Sequence, residues 1–441
     1  MTHLLIYTNR TSERLTYIFD FILTELLGLS YELTSDQEQF SDYKEPKFSY
    51  ATMAVGYEPF FESTPLLFEK DIHPQPINFS EYEHLMGFYP VSDRSLIPFD
   101  IFASAFFMIT RYEEYLPGKK DKYDRYRGSQ SMSSKGGHLE KPMIDYYALA
   151  LKKILKAQYP ALQFRPNPFE YILTFDVDMA FSYLHKDTRT NLGGFARSII
   201  LSEFGDFKDR FLVLLRQKRD PYDTYDYIYE IAEKHDLKTR FFFLLGDKSK
   251  FDKNVSYKIP AFREIVKMVS EKSETGIHLS FKSHVSNELM VKEIERLQEI
   301  GGNKVSANRF HYLRYQIPSS YSRLIKVGIT EDHSMGYAGR VGFRAGTGSP
   351  YSFFNLKHNV RTPLRIYPFA FMDATFVHYR RNNPNESLEK IRELMNYVKE
   401  TGGPFVGLWH NSSFTENKDY KGWRKIFETV AEEAAELMKE S

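Results

Sequence analysis

Two aspartates stand one residue apart in Thr174-Phe175-Asp176-Val177-Asp178, directly at the end of an apolar run. Burying carboxylates there without partners is costly, so their presence points to chemistry rather than packing. A second apolar run ends Gly276-Ile277-His278-Leu279-Ser280-Phe281-Lys282-Ser283-His284, and a third ends Gly407-Leu408-Trp409-His410-Asn411. Two histidines and two aspartates at three such ends suit either a metal site or an acid–base pair. Glu331-Asp332-His333 adds titratable groups, and Arg309, Arg314 and Arg344 add cations. The chain has no cysteine, so any metal must be held by carboxylate and imidazole. Such a donor set suits zinc and also admits cobalt or nickel. His185, His235 and His358 read as ordinary surface or core histidines.

These residues need a scaffold that brings strand ends together. After Pro160, Pro166 and Pro168, apolar runs at 171–175, 240–245, 275–279, 309–313, 328–331, 364–367 and 405–409 read as buried strands. Helical patterns at 224–235, 260–270, 287–300, 319–327, 388–399 and 423–439 alternate with them. That alternation predicts a parallel sheet with helices outside, either doubly wound or closed as a barrel. In both forms the site lies at the carboxyl ends of the strands. The proline cluster divides the chain into a smaller α/β domain at 1–160 and a larger one at 168–441. In the first domain a strand at 4–7, an amphipathic helix at 14–27 and a buried helix at 100–115 are expected, with shorter strands at 51–57 and 66–68. The polar stretch 117–141 reads as a surface loop. Arg111-Tyr112-Glu113-Glu114 reads as an anchor for a domain interface.

Composition excludes several functions. The 441 residues carry 59 Lys and Arg against 58 Asp and Glu, a net charge of +1 that argues against a dedicated nucleic-acid binder. The N-terminus has no signal-peptide pattern, and the longest apolar run, around Ile101–Ile109, is too short to cross a bilayer, which takes about 20 residues. A soluble cytoplasmic protein without a membrane span is expected, its oligomeric state left open. Aromatics are abundant, with 37 Phe and 31 Tyr but only 2 Trp. Part of that surplus fills a core; Tyr312, Tyr315, Tyr337, Tyr351 and Trp409 are expected beside the strand ends, where ring faces suit a sugar.

The second domain resembles the polysaccharide deacetylases of carbohydrate esterase family four, also described by the NodB-homology domain. Thr174–Asp178 resembles the family's first motif in its Asp-x-Asp form, His278 the start of its His-Ser/Thr-x-x-His motif, and Leu408-Trp409-His410 its last motif. The segment Arg309–Arg314 is a looser match to its arginine motif. The resemblance implies a distorted (β/α)7 barrel behind an added α/β domain of the kind seen in some bacterial proteins. It implies Asp176 as catalytic base and His410 as general acid, with Asp178 and His278 holding a divalent metal, zinc foremost. Arg309, Arg314, Arg344, Trp409 and Lys282 are then the substrate-binding candidates, the substrate being a carbohydrate.

One position departs from the motif. Lys282 stands where the second histidine ligand is expected, and His284 follows two residues later. His284 reaches the ion of His278 only through an irregular loop. Otherwise another donor completes the site, or the Lys282 ammonium takes the ion's place. Three functions follow: a metal-dependent hydrolase that removes N-acetyl groups from an amino sugar or polysaccharide; a non-catalytic carbohydrate-binding homologue, with Lys282 replacing a ligand; and a glycosyltransferase using Asp176-Val177-Asp178 to hold a metal and a nucleotide-sugar.

Overall fold

Strands whose two faces are both apolar must be covered on both sides, and β1 (His3–Tyr7) is such a strand, buried from Leu4 onward. In the computed structural model, which describes residues 3–417 and 419–441, β1 lies inside a parallel sheet of order β2 (Ser30–Thr34), β1, β3 (Lys47–Ala51), β4 (Phe60–Glu62). A small antiparallel pair, β5 (Ser80–Tyr82) and β6 (Leu85–Gly87), accompanies it. The strand expected at 51–57 is the end of β3 followed by a loop, and that expected at 66–68 is a single helical turn started by Pro65. The helix Ile101–Ile109 is buried all round. Its N-cap, Asp100, accepts the N–H groups of Phe102 and Ala103 and the hydroxyl of Tyr50.

The second sheet has nine strands. Its order is β12 (Tyr351–Asn355), β13 (Val360–Ile366), β11 (Glu331–Asp332), β10 (Ala307–Phe310), β9 (Glu274–Leu279), β8 (Lys238–Phe243), β7 (Phe169–Val177), β15 (Gly403–His410), β14 (Phe371–Met372). Every neighbouring pair is parallel except β12 with β13. Among the described residues no ladder joins β12 to β14, so the row is open where the expected (β/α)7 barrel would close. The reason lies at one edge. β12 turns back on β13, and the first domain covers it: Tyr17 donates to Ser352 O at 2.8 Å, and the Tyr17 and Phe106 rings pack on Phe354.

The sheet is nevertheless strongly curled. Arg309 on β10 reaches Asp176 and Thr174 on β7, three strands away, at 2.8 and 2.9 Å. In a flat sheet three inter-strand spacings amount to about 14 Å, farther than one arginine side chain extends. Period-two alternation then assigns the faces. On β7, Thr174 and Asp176 face the concave side, whereas on β15 Trp409 packs outside against Phe414, Trp423 and Phe427.

The two domains are joined by buried charge. Arg111, in the left-handed region at φ 55°, bonds Glu113, Glu114 and the Tyr337 hydroxyl, while Glu114 also holds Arg344 at 2.6 Å. Removing one member of such a network strands the others without partners. No helix among the described residues is long and apolar enough to cross a membrane.

Candidate metal and acid–base site

Asp176 ends the inward row of β7 and is almost wholly buried. Arg309, itself fully buried, donates to its Oδ1 at 2.8 Å, and its Oδ2 lies 3.6 Å from His278 Nε2. Asp178 follows at the bend beyond β7, half-buried at the cleft floor. Its Oδ1 is 3.1 Å from His278 Nε2; its Oδ2 is 3.5 Å from His311 Nε2 and 3.9 Å from His410 Nε2. One side chain therefore faces three imidazoles from three strand ends.

The hydrogen bonds behind the rings fix which nitrogen carries the proton. His278 Nδ1 faces the carbonyl of Arg309 at 2.9 Å, and a carbonyl only accepts. His311 Nδ1 faces Asp252 Oδ1 at 2.8 Å, and Asp252 is held by the Phe281 N–H and the Ser249 hydroxyl. Each Nδ1 thus donates, leaving Nε2 to turn toward Asp178. A neutral ring presents a lone pair there, which repels a carboxylate unless a proton or a cation lies between. Asp178 Oδ1 is buried and has no hydrogen-bond partner among the described residues. The ligand atoms of Asp178, His278 and His311 all lie within 4.8 Å of one another. One carboxylate oxygen and two back-bonded imidazoles make a donor set that fits a divalent ion such as zinc. Without an ion the proton takes that place: burial opposes it, but Asp178 and then Asp252 lift His311 to about 9.

His410 is held differently. Its Nδ1 and backbone N–H bond the two oxygens of Asp373, each at 2.7 Å, and Ser413 donates to the same carboxylate. Burial favours the neutral ring, yet Asp373, helped by Asp178 and Asp176, lifts His410 to about 10. The Asp373 carboxylate therefore favours the charged ring at the cleft edge.

The cleft above these groups has a volume of about 510 Å³, and Tyr123, Phe251, Tyr312 and Tyr379 are among its walls. Tyr123 comes from the first domain. The stretch 117–141, expected as a surface loop, is pinned across the cleft: Arg125 donates to Tyr312 O at 2.8 Å, and Arg314 to Tyr123 O at 2.9 Å. Tyr312 and Leu313 both sit at positive φ, 61° and 52°, a sparsely populated backbone that turns the chain sharply just after His311.

Asp176, Asp178, His278, His410 and Arg309 are thus brought together; the other candidates are not. His284 is buried but lies outside the cluster, with its Nδ1 beside Phe281 O and Arg314, and burial holds it down at about 4. Lys282 is exposed and makes no ion pair among the described residues. Arg314 ties the loop to the sheet, and Arg344 serves the domain interface. Trp409 is fully buried on the convex face, because the alternation that points His410 inward points its neighbour out. Tyr315, Tyr337 and Tyr351 are buried too, leaving Tyr312 of that expected group in the cleft wall.

Sequence reasoning missed three members. His311 stood unremarked inside the Arg309–Arg314 segment. Asp373 ends the apolar pair Phe371-Met372, the same signal that singled out Asp176. Asp252 lies in a polar stretch and gave none.

Among known proteins, residues 4–160 match the family described as "Family of unknown function (DUF7033)". No curated protein matches the chain. Similar solved structures include a putative polysaccharide deacetylase from Mycobacterium smegmatis, 14% identical, covering 63% of this chain and 92% of that one with a TM-score of 0.38. A CE4 family pseudoenzyme from Bacillus anthracis is 13% identical, covering 62% of each chain at 0.30. A polysaccharide deacetylase from Bacillus cereus is 13% identical, covering 62% of this chain and 87% of that one at 0.29. Scores below 0.5 assign no activity to this chain; the geometry of its own residues has to supply one.

Proposed function

We propose that this chain is a metal-dependent hydrolase that removes N-acetyl groups from an amino sugar or a polymer of one. One observation carries the reading: a carboxylate–imidazole–imidazole cluster shares its cleft with a separate pinned carboxylate and a separate protonated imidazole. Metal-assisted amide hydrolysis uses a Lewis acid, a base and an acid, and residues suited to each are separate here.

Asp178, His278 and His311 would hold the ion. A divalent cation there supplies the Lewis acidity that polarises the acyl carbonyl and makes water a nucleophile near neutral pH. Asp176 accepts the proton of the attacking water; the Arg309 bond to its Oδ1 fixes its orientation and leaves Oδ2 for that work. His410 donates its proton to the departing amine, and Asp373 both aligns the ring and keeps it charged until that moment. The aromatic walls suit the flat apolar face of a pyranose. Lys282 is exposed, so nothing favours its ammonium in the ion's place. The nucleotide-sugar reading assigns no role to His278 and His410, which stand beside Asp178 here.

Calorimetric zinc titration and acetate release from N-acetylglucosamine oligosaccharides test this together. Stoichiometric zinc and turnover are expected, with Asp176→Asn lowering kcat by about 10²–10⁴-fold at unchanged zinc affinity. Absence of zinc uptake, or undiminished acetate release from the variant, overturns it.

A further inference from the structure

Between β7 and the helix Tyr225–Lys234 the chain leaves the sheet just after Asp178 and forms two helices, Thr188–Ile200 and Phe204–Leu214. Their facing sides are tied by polar groups. Ser198 donates to Asp206 at 2.8 Å, Tyr183 bonds the same carboxylate, and Arg210 bonds Asn191 and lies over the Tyr183 ring. Phe195 packs on Phe207, and a Cβ on Gly194 would fall 2.3 Å from the Arg210 guanidinium carbon, so glycine lets the helices approach there.

The outer side is the reverse of what water favours. Half of the large apolar side chains exposed among the described residues lie between Leu192 and Leu215. They include Leu192, Ile199, Ile200, Phe204, Phe211 and Leu215, between 50% and 80% exposed. In the second helix Phe204 and Phe211, with Leu215 at its C-cap, fall at i, i+7 and i+11, one stripe. A contiguous patch of this kind marks an interaction surface. The surrounding charge specifies the partner. From Lys186 to Arg219 the chain has eight Lys and Arg against four Asp and Glu, +4 within a protein of net +1. Arg189, Lys208 and Arg216 are exposed and form no ion pairs among the described residues.

We infer that this helical pair docks on the surface of an anionic lipid bilayer. Apolar side chains enter the headgroup boundary while the flanking cations meet acidic lipid, and each signal alone binds only weakly. A protein partner or a second copy would be served by the apolar stripe, but the surplus of unpaired cations around it is complementary to a uniformly anionic sheet. The location adds a consequence. Met179 lines both the catalytic cleft and a neighbouring cavity of about 710 Å³ that includes Lys186 and Thr190 at the base of the helices. Docking therefore brings the cleft to the lipid surface, so that substrate is met there rather than in bulk water. The inference does not depend on the hydrolase reading.

Sedimentation of the full chain with phosphatidylcholine vesicles containing about one-third phosphatidylglycerol, against phosphatidylcholine alone, tests it. Binding to the anionic vesicles is expected, weakened several-fold by raising salt to about 0.5 M. The exposed pair Ile200→Asp/Phe204→Asp is expected to lower partitioning at least about tenfold with an unchanged melting curve, and Arg189→Glu/Lys208→Glu to lower it less. Absence of sedimentation, equal sedimentation of Ile200→Asp/Phe204→Asp, or a dimer in light scattering that this variant dissolves overturns the proposal. No substrate is present, so that failure leaves the hydrolase reading where it stood.

Discussion

The curled sheet has two mouths, and both are lined by histidine, arginine and carboxylate. At the amino-terminal mouth a cavity of about 850 Å³ is larger than the cleft above Asp178. There Arg240 binds Glu274 and, at 2.6 Å, Glu331; Glu331 also faces His333, which stacks on Tyr367. Every charge of that group has its opposite beside it. Burial, opposed by the Glu331 hydrogen bond and aided by Arg240 and Arg309, holds His333 down at about 3. At the carboxyl mouth the same residue types behave oppositely: His311 and His410 are lifted to about 9 and 10, and Asp178 retains an unpartnered oxygen. Arg309 belongs to both, donating to His333 O from one nitrogen and to Asp176 from another. Titratable groups are abundant at both mouths. What distinguishes the site is a buried carboxylate oxygen, Asp178 Oδ1, left without a hydrogen-bond partner among the described residues in a cluster where the ligand atoms of Asp178, His278 and His311 lie within 4.8 Å of one another.

That contrast can be broken experimentally. The largest effect is expected at His311. His311→Ala should weaken zinc binding by more than the roughly 100-fold that losing a mere supporting partner costs, whereas Lys282→Ala and His284→Ala should leave the titration unchanged. Equal losses for His284→Ala would move the ligand set back to the segment after His278. Next is Asp373→Asn, which keeps an acceptor for His410 Nδ1 but removes the charge. The acid is active only while protonated, so its form is lost as pH rises through its pKa. Lowering that pKa shifts the alkaline limb of kcat/KM to lower pH, with roughly tenfold less turnover above it per unit and little change near pH 6. The same linkage governs folding. A histidine lifted from about 6.5 to about 10 adds stability in full below the lower value and loses it as pH rises through the higher. The smallest effect on chemistry is expected at the far mouth. Arg240→Met strands Glu331 and should cost about 1–3 kcal/mol in urea unfolding while zinc affinity stays the same. A parallel loss of zinc binding would mean the two mouths are coupled through Arg309.

Much of this site was legible before any coordinates. Asp176, Asp178, His278 and His410 each follow an apolar run, and carboxylates or imidazoles just past buried strands are rarely accidental. The segment Arg111–Glu114 read as an anchor, and it does tie the N-terminal region to Tyr337 and Arg344. The helical pair after Asp178 was not recognised, because its apolar residues face outward and give no core signal. Trp409 misled for a related reason: proximity in sequence to His410 suggested proximity in space, and a strand puts neighbours on opposite faces. Glu331 and His333 carried the right residue types and line the opposite mouth.

The sequence by itself determined the chemistry that any ion here must accept. With no cysteine, its ligands are oxygen and imidazole nitrogen, and the strand ends named where they lie. Only the tertiary structure brings a second imidazole, His311, beside His278 and Asp178. His311 comes from a strand other than that of His278, aimed by two successive left-handed residues and steadied by Asp252. Asp373 reaches His410 across a strand pair, and Arg309 reaches Asp176 because the sheet curls. Spacing along a strand is written in the chain, since alternation has a fixed period. Convergence between strands is set by twist, curl and loop backbone, which no short-range pattern encodes, and that convergence made five separated residues one site.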